Sequence, residues 1–203
     1  MTQVVVIDYG MGNLHSVSKA LETVADFEKI IISSDLGVIK SSDKIVFPGV
    51  GAIKDCMAAF SEDLKETVLE EIGKKPTLAI CVGMQMLLEF SEENEGVKGL
   101  NILDGKVTKI KSSDEIKVPH MGWNKVRFLK DHFLFNNIPD SSFFYFVHSY
   151  CCLSSEDALT ETEHGENFIS SLAKDNIFAV QFHPEKSQTV GLDLYKNFLD
   201  WSI

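Results

Sequence analysis

Cys81 lies between an apolar run and a helical one, in Ala79-Ile80-Cys81-Val82-Gly83-Met84-Gln85, the position of a candidate nucleophile. Small residues two places to either side permit a tight strand-to-helix turn that lifts a side chain clear of a sheet. The helix N-terminus beyond it offers partial positive charge and free N–H groups, which favour thiolate over thiol. Such turns usually carry glycine two residues before the nucleophile. Here that residue is Ala79, for which a left-handed backbone is strained, so a tighter turn than usual is expected. Taken alone, the segment serves a small buried hydrophobe equally well.

A thiolate of this kind needs a base and a group that orients the base. Gln181-Phe182-His183-Pro184-Glu185 follows the apolar run IFAV, so the His183 imidazole and the Glu185 carboxylate are held extended at a strand end. His183 would take the proton of Cys81, and Glu185 would set the tautomer and stabilise the imidazolium. A lone His-x-Glu occurs by chance; its informative feature is that it pairs with a second strand-end motif. Pro48-Gly49-Val50-Gly51 ends a third apolar run. Its glycines let backbone N–H groups approach a ligand closely, as an oxyanion hole requires. Standing alone it reads first as a plain strand-to-helix turn.

These motifs need a scaffold that brings strand ends to one edge, and the chain alternates strand and helix in its first half. Gln3–Asp8, Lys29–Ile32, Lys44–Phe47 and Thr77–Cys81 read as buried strands. Leu14, Val17, Leu21 and Val24 mark a helix, roughly Asp55–Ile72 a second, and Gly83–Phe90 a third. Strands apolar on both sides, alternating with helices, predict a parallel sheet covered on both faces, with ligands beyond the strands' carboxyl ends. After Gly96 the pattern changes to strands separated by turns: Lys106–Ile110, Lys125–Phe128, Phe143–Cys151, Phe168–Leu172 and Ile177–Phe182. The alternation in KVTKIK suggests a half-exposed antiparallel portion. Leu192–Trp201 closes the chain as a helix with Leu194, Phe198 and Trp201 on one face. The expected fold class is α/β: a mostly parallel central sheet flanked by helices, with an added antiparallel portion, in a single domain over residues 1–203.

Six motifs in this order resemble the class I (triad) glutamine amidotransferases, whose fold is flavodoxin-like: Asp8–Val17, Pro48–Gly51, Cys81–Gln85, Pro119–Asn124, Phe146–Tyr150 and Gln181–Ser187. The narrower likeness is to the glutaminase-subunit branch that partners a barrel-shaped cyclase in imidazole glycerol phosphate synthase. The branch's leucine after the nucleophile is Val82 here and its preceding glycine is Ala79; neither change removes a functional side chain. The resemblance implies that Cys81 is the nucleophile, His183 the general base and then acid, and Glu185 the orienting carboxylate. It further implies that Gly49, Val50, Gly51 and the backbone N–H of Val82 form the oxyanion and substrate cradle. Gln85 and Glu93 would hold the polar head of glutamine, under a loop at His148-Ser149-Tyr150. Trp123, an aromatic in a turn rich in small residues, is the expected anchor for the cyclase subunit, with Asn13 and Lys186 on the same face beside an ammonia path. The alternative within the family is a subunit feeding ammonia to another synthase, such as one forming an amidine on a sugar; outside it, a non-catalytic scaffold.

His120, His132 and His164 lack a partner pattern and read as surface or packing residues, and His15 beside Asn13 as an aid to a helix start. Cys151 and Cys152 are adjacent, point to opposite faces if on a strand, and suggest packing alone. Four cysteines in 203 residues, none in a CxxC pair, are too few for a disulfide scaffold and give no zinc pattern. No metal or organic cofactor is expected, and the reducing cytoplasm is the expected compartment. The formal charge of −11, with Arg127 the sole arginine, argues against binding a phosphate backbone. No apolar run approaches the ~18 residues of a membrane span. The start MTQVVVIDYG lacks the basic region of a secretory signal.

Overall fold

The computed structural model describes residues 2–203. Its strands and helices follow the order β1 (Gln3–Ile7), α1 (Leu14–Val24), β2 (Lys29–Ser33), α2 (Leu36–Ser41), β3 (Lys44–Gly49), α3 (Ile53–Ala59), α4 (Glu62–Ile72), β4 (Thr77–Cys81) and α5 (Val82–Leu87). Then come β5 (Phe90–Ser91), β6 (Val97–Lys98), β7 (Lys106–Lys109), β8 (His120–Phe128), β9 (Ser142–His148), β10 (Tyr150–Cys152), β11 (Ala158–His164), β12 (Glu166–Lys174), β13 (Ile177–Val180) and α6 (Gln188–Asp200).

The five strands β2-β1-β3-β4-β13 run parallel, and beyond β13 the sheet continues through antiparallel β12, β10 and β7. Val4, Val5, Val6 and Ile7 of β1 are fully buried, as are Ile45–Phe47 and Phe178–Val180. A strand apolar on both faces has no stable place except between covering layers, which explains the central position of β1, β3, β4 and β13. β8 and β9 form a hairpin with the opposite pattern: Phe144, Phe146 and His148 face inward, while Met121, Trp123 and Phe143 are exposed. β11 joins this hairpin to β12.

Several boundaries differ from the sequence reading, each for a local reason. The helix expected over 55–72 is two, α3 and α4. Phe60 turns extended between them and is buried against the Tyr9 and Phe47 rings, with centroids 5.5 and 5.6 Å away. Ser61-Glu62-Asp63 then starts α4 with two carboxylates in its first turn, where the helix dipole favours them. The helix expected over 83–90 is Val82–Leu87, because the next loop takes its terminal carbonyls: Leu100 N–H donates to Met86 O at 2.7 Å and Leu103 N–H to Leu87 O at 3.0 Å. Phe90 and Ser91 are strand instead.

The strand expected over 143–151 breaks at Ser149, where the chain leaves β8 and pairs with β7. Trp123 lies on strand β8 and not in a turn. Helix α2, opened by the Asp35 side chain accepting from Val38 N–H at 2.9 Å, and strand β11 carry no strong apolar period and lie outside the sequence expectations. Trp201 lies just past the end of α6, yet is buried with Leu194 and Phe198.

Candidate active site

Register brings the three motifs to one edge. Gly49, the last residue of β3, pairs with Cys81, the last of β4, and Ile80 pairs with Val180, the last of β13. Gln181 to Glu185 therefore begin where β13 ends, beside Cys81. The turn at Cys81 is sharp, and its left-handed residue is Cys81 itself, with φ 55° and ψ −111°. The strain foreseen at Ala79 does not arise, since Ala79 is ordinary strand between Phe47 and Ala179. The close approach falls instead on two glycines. A Cβ on Gly83 would lie 2.1 Å from Phe47 O, and one on Gly49 would lie 2.7 Å from Gly83 N. Only side-chain-free residues let the start of α5 sit against the end of β3.

His183 Nδ1–H donates to Glu185 Oε1 at 2.8 Å, with both side chains almost fully buried. A 3-10 turn over Pro184–Lys186 holds the pair, and His183 N–H is tied to Tyr145 O at 2.9 Å. His183 Nε2 is buried without a hydrogen-bond partner, approaching Cys81 short of bonding geometry. That is a common state of a catalytic pair before substrate arrives. Burial opposes the imidazolium, but the charge of Cys81 and the bond to Glu185 outweigh it and raise His183 to about 10. The geometry thus sets a His183 imidazolium beside the Cys81 sulfur, which can attack a carbonyl carbon while the imidazolium protonates a leaving nitrogen.

A cavity of about 480 Å3 opens over Cys81, within the range of small-molecule sites. Its wall includes Val50, Gly51, Val82, Gln85, Glu93, His148, Ser149, Tyr150 and His183, with Asn13 and Lys186 also lining it. Gly49 lies behind this wall rather than in it, and Trp123 is outside, half-exposed on the hairpin. Glu93 also caps α3, with Oε2 accepting from Ile53 N–H at 3.0 Å. Gln85 spends its amide nitrogen on Tyr150 O at 3.1 Å and Gln181 Oε1 at 2.9 Å. Asn13 precedes α1 without a side-chain cap bond, and His15 is exposed, so neither side chain starts that helix.

Some residues near the site were not singled out by spacing. Gln181 Nε2 donates to Cys81 Sγ at 3.7 Å. Tyr9 O–H donates to Pro48 O at 2.7 Å and Cys56 S–H to Val50 O at 3.4 Å, so both brace the Pro48–Gly51 segment. His120, expected at the surface or in packing, is buried and bonded to His148 at 2.9 Å. Gln181 lies inside a motif already marked by His183, the one signal that pointed to it. His132 packs on Phe178 and Trp201, and His164 stacks on His120. Among the described residues, no group of three or more His, Cys, Asp or Glu is placed to hold a metal ion.

Residues 5–201 match the family model described as glutamine amidotransferase class-I. The imidazole glycerol phosphate synthase subunit HisH of Nitrosococcus oceani is 51% identical, covering 100% of this chain and 99% of its own. That of Acinetobacter baylyi is 50% identical, covering 100% of both. Among solved structures, PurLQS from Thermotoga maritima superposes with a TM-score of 0.72 at 16% identity, covering 98% of each chain, a likeness of fold. The chain belongs to the class-I glutamine amidotransferase family, in the branch of the HisH subunits of imidazole glycerol phosphate synthase.

Proposed function

We propose that this enzyme hydrolyses the side-chain amide of glutamine at a Cys81–His183–Glu185 triad and passes the ammonia to the cyclase subunit of imidazole glycerol phosphate synthase. The observation that carries the reading is the His183–Glu185 pair, at 2.8 Å, facing Cys81 on the left-handed turn that opens α5. The thiolate attacks the amide carbon, and backbone N–H groups of Val82 and of the Val50–Gly51 segment receive the oxyanion. His183 gives its proton to the departing ammonia. Water, deprotonated by His183, then cleaves the glutamyl thioester to glutamate, and the proton returns to the pair. Glu185 keeps Nδ1 protonated throughout, so that Nε2 is always the nitrogen that exchanges protons.

Gln85 and Glu93 would hold the polar head of glutamine. Gln85 has its Nε2 committed, so its Oε1 is the atom left to accept from the substrate's ammonium. Gly49 serves the oxyanion cradle indirectly, by letting the strand reach Gly83. The cyclase subunit, a barrel by family resemblance, would dock on the exposed Met121, Trp123 and Phe143 of the hairpin, next to Asn13 and Lys186 at the cavity mouth. Apolar side chains exposed together suit an interface. One domain spans residues 1–203, and the cytoplasm suits its four unpaired cysteines.

Glutamate release from glutamine tests this, by the chain alone and with the cyclase subunit holding a substrate analogue. The expected result is low release alone, a large rise in the complex, and loss of both in Cys81→Ala. Release that survives in Cys81→Ala overturns the triad, and an unchanged rate with the cyclase overturns the partner.

A further inference from the structure

A chain of hydrogen bonds leads from the catalytic thiol to the hairpin, and every bond has a forced direction. Gln181 Nε2–H donates to Cys81 Sγ (3.7 Å), and Gln181 Oε1 accepts from Gln85 Nε2–H (2.9 Å). Gln85 also donates to Tyr150 O (3.1 Å), a carbonyl that accepts a second bond from His148 Nδ1 at 2.9 Å. A carbonyl only accepts, so His148 carries its proton on Nδ1 and its Nε2 is a bare acceptor. His120 Nδ1 lies 2.9 Å from that Nε2 and must donate. His120 Nε2 is bare in turn and accepts from Asn124 Nδ2 at 3.1 Å. The second Asn124 N–H goes to Glu163 O at 2.8 Å, and its Oδ1 accepts from Lys125 N–H at 2.8 Å. Neither imidazole ring can turn over without breaking the bonds on both sides of it.

Burial makes this chain consequential, since His120, His148, Gln85 and Gln181 are all at most 6% exposed. Inside a protein an unmade bond leaves a buried polar group unpaired, which costs more than the bond contributes. His120 is also clamped between rings, stacked on His164 at 4.1 Å and on Phe146 at 4.9 Å. Strand alternation sets His120 and Asn124 on the inner face of β8 and Met121 and Trp123 on its exposed face. His120 and His148 are cross-strand partners in the same hairpin, so a shift of the hairpin carries both and is passed on where His148 Nδ1 meets Tyr150 O, the first residue of β10.

We propose that His120 is a positioning residue for this site: with Asn124 it fixes the tautomer and place of His148, and through Tyr150, Gln85 and Gln181 it couples the hairpin to the Cys81 thiol. The proposal rests on Cys81 being the nucleophile. Lying between two sites is not by itself evidence of coupling; a cycle of variants is. The cycle uses His120→Phe, which keeps an aromatic in the stack but removes both nitrogens, Gln181→Met, and the double variant. Two rates are read in the full-length chain: kcat/KM for glutamate release with the cyclase subunit, and alkylation of Cys81 by iodoacetamide without substrate.

Each single substitution is expected to change the alkylation rate. In both rates the double variant should fall short of the product of the single effects by about fivefold. A role in packing alone predicts lower thermal stability with effects that multiply, and that result overturns the proposal. Asn124→Ala repeats the cycle with Gln181→Met should His120→Phe unfold. If no variant or wild-type protein turns over glutamine while alkylation stays coupled, the catalytic reading fails and only the coupling of the hairpin to the Cys81 thiol stands. If turnover is normal and alkylation uncoupled, the reverse holds.

Discussion

At the scale of single residues, the His183–Glu185 bond sets the charge of the site. His183 is raised to about 10 because the pull of Cys81 and Glu185 exceeds the penalty of burial, so the imidazolium is present below that pH and lost above it. The His183 imidazolium therefore persists across the neutral range. Iodoacetamide is expected to label Cys81, which lines the cavity. Glu185→Gln keeps the shape but not the charge, and kcat for glutamate release should drop by about a hundredfold with KM little changed. Cys151 and Cys152 are pushed up by burial to about 12 and about 11, so they should stay unlabelled while Cys81 reacts.

At the scale of elements, the site depends on where helices are allowed to touch strand ends. α6 sits directly on the turn that carries Glu185. A Cβ on Gly191 would lie 1.9 Å from Pro184 O, and the clash is with backbone, which cannot rotate away. Gly191→Ala should lift α6 off that turn, lowering stability by about 1–3 kcal/mol and reducing kcat, as calorimetry and glutamate release would register. Gly73 is the control, since its backbone is right-handed and a Cβ there meets nothing closer than 3.7 Å. Gly73→Ala should leave activity unchanged and hold or raise the melting temperature, because it narrows the unfolded ensemble.

Strand and helix alternation up to Cys81, apart from α2, was legible because buried parallel strands write themselves as unbroken apolar runs. The break at Phe60, the early end of α5 and strand β11 were not, since each follows from contacts far along the chain: Phe60 with Tyr9, Met86 with Leu100, and β11 with β8.

At the scale of the whole molecule, the buried histidines bend the pH dependence of stability in opposite directions. Burial and neighbouring imidazoles push His120 to about 3, and burial pushes His148 to about 4. Below the unfolded value near 6.5 the unfolded chain binds these protons and the native state refuses them. Their contribution is complete above about pH 6.5 and is lost as pH falls toward 4. His183 does the reverse: its contribution is complete below about 6.5 and lost as pH rises toward 10. Urea midpoints should therefore peak near neutrality and fall on both sides. His120→Phe should flatten the acid limb, and an acid limb equally steep in that variant would place the sensitivity elsewhere.

The sequence by itself picked out the residues of the candidate site. A cysteine at a strand-to-helix junction, a strand-end His-Pro-Glu and a strand-end Pro-Gly-Val-Gly are local patterns, and local patterns survive in one dimension. It also determined the parallel half of the sheet, because hydrophobic periodicity is local too. Tertiary structure alone decided that the strained backbone belongs to Cys81 and not Ala79, since the φ of the turn is set by how tightly Gly49 and Gly83 let α5 approach β3. It alone joined His120 to His148 across 28 residues, and Gln181 to Gln85 across 96. Hydrogen bonds between side chains that distant leave no period in the sequence, because the geometry that selects them exists only once β8 and β9 have paired and β13 has taken its place beside β4.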